Sequence, residues 1–136
     1  MSPSEAPAGD DHGIVTIPSP HPFSETVERL KAALHGKGIK LFASIDQQAE
    51  AAVVGLPMPP IVLLLFGNPK GGTPLMVARP LCGLDLPLKA LISEAKPGQV
   101  LVSLNSAEYL IQRHALPAEF LSNIAPIEQL IRNALK

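Results

Sequence analysis

Between Ile61 and Phe66 the chain runs Ile-Val-Leu-Leu-Leu-Phe without a polar residue, and the run then stops against Gly67-Asn68-Pro69-Lys70-Gly71-Gly72-Thr73-Pro74. A short apolar run bounded by turn-forming residues reads as a buried strand, so other elements must cover it. Thr73-Pro74 has the signature of a helix start, with threonine as N-cap and proline at the first helical position. Gly67, Gly71 and Gly72 give the intervening stretch the backbone freedom of a flexible loop. A loop between a buried strand and a helix N-terminus is also where backbone N–H groups can turn outward toward an anion.

Whatever covers the strand has to be aliphatic, because apolar residues make up 46% of the chain while aromatics are only 4% and tryptophan is absent. At 136 residues the chain is read as one domain, large enough to bury roughly two-thirds of its unfolded surface without a disulfide or a metal. Eleven Lys and Arg stand against twelve Asp and Glu. That balance argues against nucleic acid as a partner, which needs clustered cations, and the few aromatics leave little for base stacking. The single Cys82 rules out an intramolecular disulfide and fits a reducing compartment. Met1 to Gly13 lacks the cationic and apolar regions of a secretory signal, and no apolar run reaches the roughly 18 residues of a membrane span. The expectation is a cytoplasmic chain with no membrane partner. His12, His21, His35 and His114 show no i, i+4 ligand spacing, so no metal and no cofactor are expected.

Residues 1–12, rich in Ser, Pro, Ala, Asp and Gly, are expected to form a disordered tail, and 13–136 the single domain. Gly13 to Ile17 reads as a short strand ended by the proline cluster at 18–22. Ser24 is a candidate N-cap for a helix to His35, with Val27, Leu30 and Leu34 as its apolar stripe and Gly36 and Gly38 as its stop. In Ile39 to Ile45 the alternation puts Ile39, Leu41, Ala43 and Ile45 on one face and Lys40, Phe42 and Ser44 on the other. Asp46 caps a short helix over 47–54, closed by Gly55, and the prolines at 57, 59 and 60 impose an extended link. After the helix from Pro74, which Pro80 ends, Leu88 to Glu94 and Val100 to Leu104 form a hairpin turning at Lys96-Pro97-Gly98. Ser106 caps a helix through Arg113, and 117–136 is largely helical with an interruption near Pro126. The pattern is α+β, an antiparallel β-sheet with helices on one face.

Three fragments carry a resemblance: Ile45-Asp46 at a strand end, Phe66-Gly67-Asn68-Pro69-Lys70-Gly71-Gly72-Thr73-Pro74-Leu75-Met76, and Gly83-Leu84-Asp85-Leu86-Pro87-Leu88-Lys89. In order and spacing the chain resembles the domain of unknown function (DUF) 302 family from about Ile14 to Pro117, and Tyr109-Leu110 and Arg113-His114 suit that family's C-terminal helix. The resemblance implies a β-α-β-β-β-β-α, TATA-binding-protein-like arrangement, often dimeric, and no established activity. A shared fold with a DNA-binding protein is not evidence of DNA binding. Family members commonly carry histidine directly after the strand-end aspartate, where this chain has Gln47.

The leading functional expectation is a non-enzymatic module for a small anion or other small ligand, built from Gly67, Asn68, Lys70, Gly71, Thr73 and Arg79, with Lys70 and Arg79 supplying positive potential. The same glycines, asparagine and proline also suit a turn that binds nothing, and Arg79 also suits an ion pair with Asp85. An enzymatic alternative uses Asp46 and Asp85 as an acid–base pair or Cys82 as a nucleophile, against the readings of Asp46 and Asp85 as local caps and Cys82 as a buried inert thiol. A third alternative is a homodimeric interaction domain that docks through the sheet face or through the apolar C-terminal helix around Ile127 and Ile131.

Overall fold

The computed structural model describes residues 12–136; nearly all of the expected tail, 1–12, lies outside them. Five strands form one antiparallel sheet: β1 (Ile14–Ser19), β2 (Lys40–Asp46), β3 (Ile61–Gly67), β4 (Leu88–Lys96) and β5 (Gln99–Asn105), in the order β1-β5-β4-β3-β2. β2 to β5 form a meander, and β1 pairs with β5 at the far edge. The apolar run is thus one strand in from the β2 edge. Val62, Leu64 and Phe66 of β3 point into the core, and Leu64 and Phe66 are 0% exposed.

Because β1 and β2 occupy opposite edges, the helix joining them must cross the sheet. That helix, α1 (Phe23–Gly36), buries Val27, Leu30 and Leu34, the stripe expected from their spacing. Beside it lies α5 (Pro126–Ala134), which buries Ile131 and carries Leu135 at its end into the same core. His21 Nε2 meets the Leu135 carbonyl at 3.1 Å, and Arg29 Nη1 donates to the Ala134 carbonyl at 3.4 Å, tying the two helices at their ends. Each fully buried aliphatic side chain here contributes about 1.5–3 kcal/mol. A second, smaller core gathers Leu75, Cys82, Leu110, Leu116 and Ile124 beneath α3 (Pro69–Ala78), a 3-10 turn at Pro80–Leu84 and α4 (Ala107–Arg113). Leu88 packs against both cores.

Several local expectations correspond to what is seen. Asp46 accepts from Ala49 N at 2.9 Å at the head of α2 (Gln47–Val53), and Ser106 accepts from Tyr109 N at 3.0 Å at the head of α4. Gly98, with φ of +82°, turns the β4–β5 hairpin, as a left-handed position requires. The interruption expected near Pro126 falls at Ile124 and Ala125, between a 3-10 turn at Ala118–Asn123 and α5, which Pro126 begins.

Four expectations need correction. β1 continues through Pro18 to Ser19, which an edge strand tolerates because a missing N–H can face away from the sheet. α1 begins at Phe23, so Ser24 is not its cap; Thr26 Oγ1 instead donates to the Pro22 carbonyl at 2.9 Å and meets Ser19 Oγ at 2.6 Å. In β2 the register slips between Leu41 and Ala43, leaving Phe42 as the extra residue. A one-residue slip moves every later side chain to the other face. Ile39 and Leu41 therefore pack on the helix-covered core, while Ala43 and Ile45 pair with Leu65 and Leu63 on the opposite side.

The fourth correction concerns the glycine stretch, which is helix and not loop: α3 starts at Pro69, with Asn68 as N-cap, and Gly71, Gly72, Thr73 and Pro74 all lie within it. Asn68-Pro69 supplies the same cap-plus-proline signal that Thr73-Pro74 supplies, five residues earlier and directly at the strand end. Of the two C-terminal-helix residues named for docking, Ile131 is buried in the larger core at 3% exposure, while Ile127 packs against that core only partly buried. Ile131→Ala is expected to lower unfolding stability by about 2–4 kcal/mol, read from the urea midpoint, without changing the oligomeric state measured by light scattering.

Candidate functional site

The chain turns from β3 into α3 at Asn68, and that residue accounts for the amides around it. Its side-chain Oδ1 accepts from Lys70 N at 2.9 Å, and its carbonyl accepts from both Gly71 N and Gly72 N at 2.9 Å. The N–H groups that an anion cradle would need are thereby occupied inside the helix. Lys70 and Arg79 are both exposed; the Arg79 guanidinium donates to the neighbouring Ala78 carbonyl at 3.1 Å.

What the turn builds instead is a cavity. About 390 Å³ of space lies between the ends of β2 and β3, the flank of α3 and the Leu86-Pro87-Leu88 segment. Phe42, Phe66, Met76, Leu86 and Leu88 supply most of its apolar wall, with Ile39, Ile124 and Ile127. Of the anticipated site residues, Gly67, Asn68, Gly71 and Thr73 line it, whereas Lys70 and Arg79 do not. Among the described residues the lining includes no histidine, cysteine, lysine, arginine or carboxylate side chain. Volume arises partly from missing side chains, since Gly67, Gly71 and Gly72 all face the space. A β-carbon added at Gly72 would stand 3.8 Å from Leu86 Cδ1, an ordinary contact, whereas one at Gly71 would stand 3.2 Å from the Asn123 carbonyl oxygen. Asn123 Nδ2 in turn donates to the Gly71 carbonyl at 3.0 Å, clasping α3 to the segment before α5.

Phe42 belongs to this site because of the β-bulge, and the period-two pattern of the sequence gives no sign of it. Lys40 Nζ sits 5.1 Å from the Phe42 ring centre, a cation–π contact worth about 0.5–1 kcal/mol when exposed. Bulges commonly re-aim a side chain beside a site.

The groups considered for acid–base or thiol chemistry lie elsewhere. Asp46 is spent on the α2 cap, beside Gln47 as the first residue of that helix. Asp85 pairs across the fold with α4: Arg113 Nη1 donates to both of its oxygens at 3.2 and 3.1 Å, and His114 Nε2 meets Oδ2 at 2.6 Å. The partner anticipated for Asp85, Arg79, is not the one found. Asp46 and Asp85 share none of the described cavities. The cavity at Asp85 holds about 50 Å³, room for little more than a water or two. Among the described residues no cluster of three or more His, Cys, Asp or Glu side chains is placed to hold a metal ion. Cys82 is 2% exposed in the smaller core. Burial pushes its thiol pKa up, and the nearby Asp85 carboxylate adds to the rise, opposite to the shift that makes a nucleophile.

The fold and the cavity define a small α+β domain with an apolar chamber at the junction of sheet and strand-end helix. This chain belongs to the family described as domain of unknown function DUF302, whose pattern matches residues 15–136. Among solved structures it resembles that of an uncharacterized conserved DUF302 protein from Bacillus stearothermophilus, with a TM-score of 0.76 at 21% identity, covering 90% of this chain and 95% of that one. At that identity the likeness concerns the fold alone. Among curated proteins it is 42% identical over 106 residues to a protein named fluoride-specific ion channel FluC 1 of Brucella suis, covering 78% of this chain and 42% of that protein. The same identity and 78% coverage hold for FluC 1 of Brucella abortus and FluC 2 of Brucella melitensis, of which 39% is covered. This chain thus spans about two-fifths of the length of the curated relatives it matches. Among the described residues no helix is long and apolar enough to cross a membrane.

The buried thiol makes its own prediction. Labelling of Cys82 by a chromogenic disulfide reagent at pH 8 should be more than about a hundredfold slower in the native protein than in denaturant, because the thiol must wait for local opening. Since its folded pKa is raised, the thiol's contribution to stability is complete below the unfolded value of about 8.5 and falls away as pH rises above it. Rapid native labelling would restore Cys82 as a candidate nucleophile.

Proposed function

We propose that this domain binds a small, mainly apolar molecule in the chamber between Phe42, Phe66 and α3, and does so without catalysing a reaction. The observation that carries the reading is the composition of the wall: about 390 Å³ of space faced by apolar side chains and three glycines. Ligand cavities typically hold roughly 300–1,000 Å³ and combine an apolar lining with a few placed polar groups. Here those polar groups are the side chains of Asn68, Thr73 and Asn123. A binding rather than catalytic role is supported by the lack of any ionisable side chain in that wall, since general acid–base and covalent catalysis need one within reach of the substrate. The glycine-lined turn keeps its anticipated place in the site, but as a thin wall and not as an anion cradle.

The test uses the neutral fluorophore N-phenyl-1-naphthylamine, whose emission rises in apolar surroundings. Binding is expected for the native chain and is expected to be lost in Gly72→Leu, which fills the chamber while improving the local helix propensity by roughly 0.5–1 kcal/mol. An unchanged melting temperature in the variant would attribute the loss to the chamber. Equal emission from both proteins would remove the reading.

A second reading, an interaction domain, has a separate observation in its favour. Ala43, Ile45, Leu63, Leu65, Leu91 and Leu101 lie on the sheet face opposite α1 and α5 and remain partly exposed. Homodimerisation through this face accounts for an apolar surface that α5, being core, does not supply. The Brucella relatives suggest that such a domain can also serve as one part of a longer channel protein, and fluoride-linked work by this chain is a proposal on that footing. Cytoplasmic placement is part of the same proposal, supported by the free thiol of Cys82. Leu91→Lys, at the centre of the face, is expected to raise a dimer dissociation constant at least about tenfold in sedimentation equilibrium. A native chain that stays monomeric at its highest soluble concentration would exclude this mode of assembly.

A further inference from the structure

The chamber does not end at Asn68. A second hollow of about 500 Å³ shares Ile39, Asn68, Gly71, Asn123, Ile124 and Ile127 with it, so the two form one trough with unlike ends. The inner end is walled by Phe42, Phe66, Met76, Leu86 and Leu88. Leu130 and Pro126 continue the apolar floor outward, where the polar residues are Lys37, Gln129 and Asn133.

The polar end is electrically one-sided. Lys37 is, among the described residues, the only charged one lining either hollow. Among the described residues Lys37 takes part in no ion pair, the described pairs being made by other side chains. Two of the lining carboxamides, Asn68 and Asn133, keep their NH2 donors unspent within the chain, whereas Asn123 and Gln129 use theirs on Gly71 and Asn133. Asn68 spends its Oδ1 on Lys70 N, and Asn133 spends its Oδ1 on Gln129 Nε2, which leaves the Nδ2 donors of both for a ligand or solvent. A cation with nearby amide donors favours an acceptor-rich, negatively charged group.

From this geometry we infer that the trough takes an amphipathic carboxylate, with its aliphatic chain in the inner chamber and its carboxylate at Lys37 among the side chains of Asn68 and Asn133. This rests on the reading of the chamber as a ligand site and adds the chemical class of the ligand and its direction. It also moves the anion from the α3 N-terminus, where the amides are occupied, to the end of α1, where Lys37 follows Gly36. The outer end is open to solvent, so the carboxylate need not be fully dehydrated. Its attraction to Lys37 is that of a partly exposed ion pair, modest in size but sufficient to orient the chain.

The experiment displaces N-phenyl-1-naphthylamine from the full chain with decanoate and with decanol, both below their aggregation limits, at neutral pH. The two share a chain and differ in the head group. Decanoate is expected to bind about fivefold more tightly than its extra aqueous solubility alone allows, an advantage the size of a partly exposed ion pair. The advantage is read as the decanoate-to-decanol affinity ratio relative to that of Lys37→Gln. Lys37→Gln should lower that ratio about fivefold, and Lys37→Glu should lower it further, with both variants binding decanol as the native chain does. Gly72→Leu should abolish binding of both. If decanol and decanoate displace the probe but the ratio is the same in all Lys37 variants, the assignment of the head group is overturned while the chamber survives. If neither the probe nor either compound binds, the chamber reading itself has failed.

Discussion

One asparagine sets the geometry from which the rest of the site follows. β3 sends Val62, Leu64 and Phe66 into the core, and the chain must leave it without exposing backbone groups to an apolar interior. Asn68 does this by accepting three successive amides, one with its side chain and two with its carbonyl. A helix therefore begins at once, and its flank becomes a wall. That helix has little intrinsic preference to form: glycine costs about 1 kcal/mol per residue against alanine, and an interior proline about 3. α3 contains two glycines and an interior Pro74, and buries only Leu75 in the smaller core. The cap, Leu75 and the clasp from Asn123 to Gly71 hold a segment whose composition resists the fold. Conflicts between local preference and global structure of this kind concentrate at functional sites, and the glycines supply the space that larger residues would occupy.

Much of the architecture was legible because it depended on near neighbours. The buried strand, the α1 stripe, the Asp46 and Ser106 caps, and the Gly98 hairpin each follow from residues within one or two turns of one another. The wrong helix start also has a local cause, since two cap-plus-proline pairs compete within seven residues. Nothing in the composition ranks Asn68 above Thr73 except the position of the strand end. What was not legible required partners distant in the chain. Asp85 pairs with Arg113 and His114, 28 and 29 positions away, so a nearer cation at Arg79 was a natural but incorrect partner. The bulge at Phe42 depends on pairing with β3, and a single sequence carries no register. The trough needs residues from β2, β3, α3 and α5 together.

The two hydrophobic cores explain why space remains between them. One lies under α1 and α5, the other under α3 and α4, and Leu88 touches both. Their seam falls where the Leu86-Pro87-Leu88 segment enters β4, and that seam is the chamber. Phe66 and Leu88 line it from the larger core, Ile124 and Leu86 from the smaller. Solvent reaches this seam, where Phe42 is 46% and Met76 37% exposed, and apolar walls left against water keep the hydration cost that burial would remove. Closing the seam would require larger residues at the glycine positions or a shift of α3 toward the sheet. Gly71, with the Asn123 carbonyl 3.2 Å from where a β-carbon would stand, limits the first change on one side, and the Asn123 clasp limits the second.

An apolar hollow of this kind gains most from an occupant that takes its walls out of contact with water, and the walls decide what chemistry can follow. The one Asp–His pair is engaged with Arg113 on the α4 side, and the one thiol is buried with its pKa raised. Neither lines the chamber. A molecule seated there would therefore meet shape, dispersion and a few amide and hydroxyl groups. The partly exposed face around Leu63 and Leu91 lies on the opposite side of the sheet from Val62, Leu64 and Ile92, whose side chains enter the larger core. β3 contributes to both environments, with Phe66 against the chamber and Leu63 and Leu65 on the open face. Phe66 and those leucines alternate along one strand, so a proposed ligand against Phe66 and a proposed partner against Leu63 would bear on the same backbone.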